Sequence, residues 1–230
     1  MALIKLKGTI VPNDDKLIYD WCGIEATCPN DIEQGLRDAA GEDVTIEISS
    51  GGGDVFSGSE MSYQLKKYEG NVTAEISGFC ASAATIVACG ADKAIAHPSA
   101  LYMIHNVSCT ASGDTNAFKK QAETLATCNR AIAEIYESKT GKSSEELLKL
   151  MNKETWMTAS EAKENGFIDE IVGESTQPVA FTNGIAKILP EEAKARIKNQ
   201  IMQEKDKQKS FSDDIEKEKL NLLRMKGELI

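Results

Sequence analysis

The chain has 230 residues, 41% of them hydrophobic, with 26 Lys+Arg against 36 Asp+Glu. That length can bury one substantial core and is short for two, and a formal net charge of −10 argues against nucleic acid as a partner. No apolar run approaches the roughly 20 residues that span a bilayer, and the lysine-interleaved opening from Met1 to Gly8 lacks a signal-peptide core. The sequence therefore reads as soluble and cytoplasmic, with no membrane partner.

Ala2 to Val11 and Val44 to Ile48 read as strands, and between them Pro29-Asn30-Asp31 opens a helix that turns Ile32 and Leu36 inward and stops at Gly41. A glycine loop, Ser50-Gly51-Gly52-Gly53-Asp54, leads into a helix marked by Val55, Met61 and Leu65 and closed by Gly70. Val72 to Ile76 begins the next strand. Ser82 then falls at the start of a helix through Ala83 to Cys89, where free backbone amides and the helix dipole favour a developing negative charge. Beyond His105 the stretch Val107 to Gly113 is polar, and Asp114-Thr115 opens a long helix ending before Gly141. Ser143-x-x-Glu146 and Thr158-x-x-Glu161 are two capping boxes. Gly166 closes the second of these helices, and Phe167 to Val172 reads as a last strand. The alternation implies a mainly parallel α/β core.

Six cysteines, at 22, 28, 80, 89, 109 and 128, include no C-x-x-C pair and sit mostly in apolar surroundings. They read as reduced thiols rather than as a disulfide or zinc framework, so no metal and no cofactor is expected. Cys80, two residues before Ser82, is the one thiol that the sequence sets near a candidate site.

That site rests on order along the chain. The glycine loop comes first, then Ser82 within the small-residue run Ser77 to Ala84, then His105 after the apolar stretch Ala100 to Ile104. Taken singly, each has a plain reading: a turn, a close helix–strand contact, a hydrogen-bonded core histidine. Together they set out what a serine nucleophile needs, since the hydroxyl attacks only when a base takes its proton and oriented N–H groups receive the oxyanion.

Ile48 to Val55, the Ser82 segment, Met103-Ile104-His105 and Trp156 to Ala162 together resemble the Clp protease proteolytic subunit family of serine peptidases, over roughly residues 3 to 173. The resemblance implies the spiral of β-β-α units shared with the crotonases, with Ser82 as nucleophile, His105 as general base, and the N–H groups of Gly53 and Ala83 as oxyanion hole. The family's acid, an aspartate, matches Glu154, with Asp169 as the rival candidate. Gly51 stands where the family usually has proline. It also implies a protein or peptide substrate and a homo-oligomeric ring, in the family's manner stacked heptamers, with the helix near 115 to 140 docking one ring on another. Within the family the compact domain with its charged C-terminal extension resembles the head maturation proteases of phages and prophages, which process capsid or scaffold proteins. Because the first strand starts almost at Met1, no axial segment precedes it, and no unfoldase ATPase partner is expected. Two other classes stay open: a crotonase-type acyl-CoA enzyme, and a catalytically silent ring-forming assembly factor.

After residue 173 the character changes. Residues 1–173 read as the peptidase domain and 174–230 as a charged linker and helical extension, in which Pro190 opens a helix and Ile215, Leu222 and Leu229 recur every seven residues. Residues 190–230 carry 10 Lys+Arg and 9 Asp+Glu, so the acidic balance belongs to the body of the chain.

Overall fold

A computed structural model describes residues 2–173. The expected linker and extension, with the Pro190 helix and the heptad stripe, lie outside them. The chain runs β1 (Ala2–Ile10), α1 (Asn13–Trp21), β2 (Ala26–Thr27), α2 (Pro29–Ala39), β3 (Val44–Gly53), α3 (Val55–Lys67), β4 (Val72–Ala81), α4 (Ala83–Ala88), β5 (Lys93–Ala96), β6 (Leu101–Ile104), α5 (Thr115–Thr140), α6 (Ser144–Asn152), β7 (Thr155–Thr158), α7 (Ala159–Glu164) and β8 (Glu170–Ile171).

The strands form one sheet in the order β2-β1-β3-β4-β5-β8, every neighbouring pair parallel. The central strand β4 is long enough to serve two partners. Its first half pairs with β5 (Thr73↔Lys93 to Ile76↔Ala96) and its last residues with β6 (Phe79↔Leu101 to Ala81↔Met103). β6 then pairs antiparallel with β7, from Leu101↔Thr158 to Ile104↔Thr155. This fork carries the ends of β4 and β6 away from the main sheet side by side, with Ser82 and His105 immediately after them.

The core is where the alternating patterns converge. Ile46 and Ile48 of β3, Ala74 and Ile76 of β4, and Ile32, Met61 and Ile86 from α2, α3 and α4 are all sealed from solvent; each Ile or Met buried in this way contributes about 1.5–3 kcal/mol. Close approach of α3 to α4 is made possible by Gly58, where an added Cβ would lie 3.0 Å from the Ala83 carbonyl. Both expected capping boxes are present: Ser143 with Glu146 opens α6, and Thr158 with Glu161 opens α7.

Several elements differ from the sequence reading: β2 and β5 were not read as strands, and β3 runs on through the expected glycine loop to Gly53. α1 was not expected; its apolar residues Leu17, Ile18 and Trp21 share one face, but none of its residues is buried. β7 hides in four residues next to a capping box. The last strand shortens from Phe167–Val172 to Glu170–Ile171, because Phe167 turns off the sheet: its N–H bonds the Ala162 carbonyl and its ring packs on Tyr102 and Tyr136 at centroid distances of 5.1 and 5.5 Å.

Candidate active site

Ser82 has φ 55° and ψ −127°, a conformation that costs a non-glycine residue about 1–3 kcal/mol and persists only where the surroundings enforce it. They do so from both sides. The Ser82 N–H donates to the Met103 carbonyl of β6 at 2.9 Å, while its own carbonyl accepts from Thr85 N–H at 2.9 Å. Strand β4 therefore ends in a tight turn that lifts the Ser82 side chain clear of the sheet and starts α4. His105 follows β6 directly, and its Nε2 lies 2.7 Å from Ser82 Oγ. Two residues separated by 23 positions are thus in hydrogen-bond contact, an arrangement in which the imidazole can take the hydroxyl proton.

The glycine-rich end of β3, read from the sequence as a loop, closes against this turn. A Cβ on Gly52 (φ 87°) would sit 2.6 Å from the Ala81 carbonyl and 2.7 Å from both Ala83 N and Ser82 Cβ, and one on Gly53 (φ 149°) would sit 2.1 Å from the Ile10 carbonyl. Only glycine lets the two backbones meet there. The buried Ser50 holds the loop, donating to the Gly8 carbonyl at 2.6 Å and accepting from Gly52 N–H at 3.1 Å. Just beyond β3 the Asp54 N–H bonds the Ile10 carbonyl (2.9 Å), and Asp54 caps α3 through Ser57 N–H (2.7 Å). Ala83 is the first residue of α4, where a backbone N–H has no partner within its own helix. The Gly52–Gly53 peptide and the Ala83 amide are therefore neighbours beside the serine.

Val55, Ile86, Val107, Ile132 and Tyr136 line a small, mainly apolar recess beside Ser82 and His105. Asn106 lies there too, its Nδ2 donating to Asn152 Oδ1 at 2.6 Å while its buried Oδ1 has no partner among the described residues.

Neither candidate acid is hydrogen-bonded to His105 among the described residues. The antiparallel pairing of β6 with β7 ends at Ile104↔Thr155, and Glu154 is the residue just before β7, as His105 is the residue just after β6. Its exposed carboxylate instead accepts from the Trp156 indole N–H at 3.2 Å, and its backbone has φ 50°. Asp169 is engaged elsewhere: a single carboxylate oxygen accepts from Ala94 N–H and from Lys139 Nζ, each at 2.7 Å. Cys80 proves to be core rather than site lining. It is fully buried, and burial pushes its thiol well above the usual cysteine range, which leaves it a poor nucleophile. No group of three or more His, Cys, Asp or Glu gathers as a metal-ligand set among the described residues, and no helix there is long and apolar enough to cross a membrane.

Sequence reasoning missed Ser50, Asn106, Thr85 and Tyr136. Ser50 lay inside a quoted motif, but its contact is to Gly8, 42 residues away, and no local pattern announces such a partner.

The architecture is thus a mainly parallel α/β sheet that brings a serine and a histidine into hydrogen-bond contact at forked strand ends. Comparison with known proteins narrows this: residues 36–175 match the Clp protease family, and the chain belongs to that family of peptidases. Similar relatives include the ATP-dependent Clp protease proteolytic subunit 2 of Corynebacterium diphtheriae, 29% identical over 140 residues that make up 60% of this chain and 70% of the relative. Another is subunit 1 of Protochlamydia amoebophila, 32% identical over 57% of this chain and 66% of the relative. The matches thus span about two thirds of the relatives' own length. A solved ClpP1 mutant from Listeria monocytogenes superposes with a TM-score of 0.62 over 74% of this chain and 91% of its own, at 23% identity, which supports the shared fold.

Proposed function

We propose that the chain is a serine endopeptidase in which Ser82 attacks the scissile carbonyl and His105 takes its proton and later returns it to the leaving amine. The observation that carries this reading is the 2.7 Å contact between His105 Nε2 and Ser82 Oγ, made by a serine whose strained turn places it at a helix start. The N–H groups of Ala83 and Gly53 are the donors for the tetrahedral oxyanion. Glu154, next to the Ile104↔Thr155 pair that ends the β6–β7 ladder, is the acid of the triad once its side chain turns from Trp156 toward the imidazole. The peptidase works inside an oligomeric chamber, as family membership supports. Its proposed substrates are phage capsid or scaffold proteins, a reading that rests on the resemblance to head maturation proteases.

The test is covalent labelling. A fluorophosphonate should modify the wild-type chain at Ser82 and leave Ser82→Ala unmodified, and peptide hydrolysis should fall by several orders of magnitude in Ser82→Ala and in His105→Ala, with the circular dichroism unchanged. Undiminished hydrolysis by pure Ser82→Ala would remove Ser82 from the mechanism. Cleavage of a co-expressed capsid or scaffold protein by wild type, and its absence with Ser82→Ala, would fix the substrate class.

A further inference from the structure

The carbonyl of Ser82 and the N–H of Ala83 belong to the same peptide. That carbonyl accepts two hydrogen bonds, from Thr85 N–H at 2.9 Å and from Thr85 Oγ1 at 2.6 Å. Thr85 Oγ1 also lies 2.6 Å from the hydroxyl of Tyr136, 51 residues on in α5. A threonine hydroxyl has one proton, and here it is spent on the Ser82 carbonyl, so the second contact is made by the Tyr136 hydroxyl as donor. The chain of donors therefore runs Tyr136 O–H to Thr85 Oγ1, then Thr85 O–H to the Ser82 carbonyl. Thr85 and Tyr136 are both sealed from solvent, and burial pushes the Tyr136 phenol far above its usual range, so it stays protonated and able to donate.

We infer that Thr85 and Tyr136 are positioning residues for the oxyanion hole, acting through the Ser82–Ala83 peptide. No peptide bond among the described residues is cis, so fixing the carbonyl fixes the N–H of Ala83 in the opposite direction, toward Gly52 and the serine. The two bonds also polarise the peptide and make its N–H a stronger donor, since hydrogen bonds in a chain reinforce one another. The strained φ and ψ of Ser82 are what such an anchor would have to hold. Tyr136 comes from the helix expected at the contact between rings, so the position of α5 bears directly on the geometry of the oxyanion donor.

This inference rests on the peptidase reading, and two independent measurements separate them. In steady-state peptide hydrolysis, Thr85→Val, which keeps shape and loses the hydroxyl, should lower kcat about tenfold and change KM by less than about twofold. Thr85→Ser should restore the wild-type rate, and Tyr136→Phe should lower kcat by about three- to fivefold. Because Tyr136 acts through Thr85, adding Tyr136→Phe to Thr85→Val should cost nothing more. A peptide boronate, which mimics the tetrahedral state, should lose affinity in proportion to kcat/KM, a correlation that looser packing alone would not produce. The second measurement needs no turnover. Labelling with carbonyl-13C serine and 15N alanine isolates only the Ser82–Ala83 and Ser99–Ala100 peptides; the Ala83 nitrogen resonance should move in Thr85→Val and Tyr136→Phe while that of Ala100 stays. Wild-type kcat in Thr85→Val, or an unmoved Ala83 resonance, overturns the inference. A wild-type chain that neither hydrolyses peptide nor reacts with fluorophosphonate overturns the peptidase reading instead, and the resonance still decides the positioning.

Discussion

Glu154 and Asp169 are both acids within the last third of the domain, and the difference between them lies in what their oxygens touch. The Asp169 carboxylate ties Lys139 of α5 and the Ala94 amide of β5 together, work that holds the sheet's far edge to the long helix. Among the described residues the Glu154 carboxylate bonds an exposed indole alone, and its extra methylene relative to aspartate gives the carboxylate reach. Glu154→Gln should therefore leave the melting temperature nearly unchanged and reduce kcat about 10- to 100-fold, because a neutral amide neither orients the imidazole nor stabilises it once protonated. Asp169→Asn should do the opposite, weakening the fold by about 1 kcal/mol through the loss of a charge-assisted bond while peptide turnover stays within about twofold. Kinetics and thermal melts of the two variants decide it. A crippled Asp169→Asn beside a normal Glu154→Gln would transfer the acid's role to Asp169.

At the scale of elements, the two capping boxes carry a pH dependence. Glu146 accepts from Ser143 side chain and backbone, and Glu161 from Thr158 backbone and side chain; these bonds hold each carboxyl below its ordinary value of 4.5. A carboxyl whose folded pKa is depressed adds stability that is complete above the unfolded pKa and is lost as pH falls through the folded one. Chemical denaturation followed from pH 7 downward should show stability declining below about pH 4.5, and the Glu146→Gln, Glu161→Gln double variant should show a shallower decline. An identical slope in the two proteins would mean that other acids govern the acid limb. These caps were legible in the sequence because each is written within four residues. So were the glycine loop, Ser82 and His105, since each lies at the end of an apolar run and in a fixed order. Thr85–Tyr136, Ser50–Gly8 and the β6–β7 register were not, because each joins residues many positions apart whose local setting reads as ordinary core. α1 escaped for a different reason: it is nine residues long, and its short apolar face of Leu17, Ile18 and Trp21 is buried nowhere among the described residues.

That unburied surface matters for the molecule as a whole. α5 is 26 residues long, about 39 Å at 1.5 Å per residue, yet its buried residues are only Ile132, Ala133 and Tyr136, all in its C-terminal half. Its first half stands away from the core, with Phe118 more than half exposed. α1 adds Leu17, Ile18 and Trp21, the last 87% exposed. Isolated exposed apolar residues are common, but a helix half without any core contact is costly to keep ordered unless something else packs on it. Family membership supports further copies of this chain as the covering surface, assembled with closed symmetry. Light scattering should thus give a mass several times 25.0 kDa. Phe118→Glu together with Leu125→Glu, both on the outlying half of α5, should lower that mass without unfolding the monomer. Peptide turnover should fall with the mass if α5 must be held for Tyr136 to support the oxyanion peptide. A monodisperse monomer with full activity across working concentrations would contradict both the chamber and the link from α5 to the site. A variant that loses its higher mass but keeps its full rate on a small peptide would leave the assembly of the wild-type chain standing and break the link from α5 to the site.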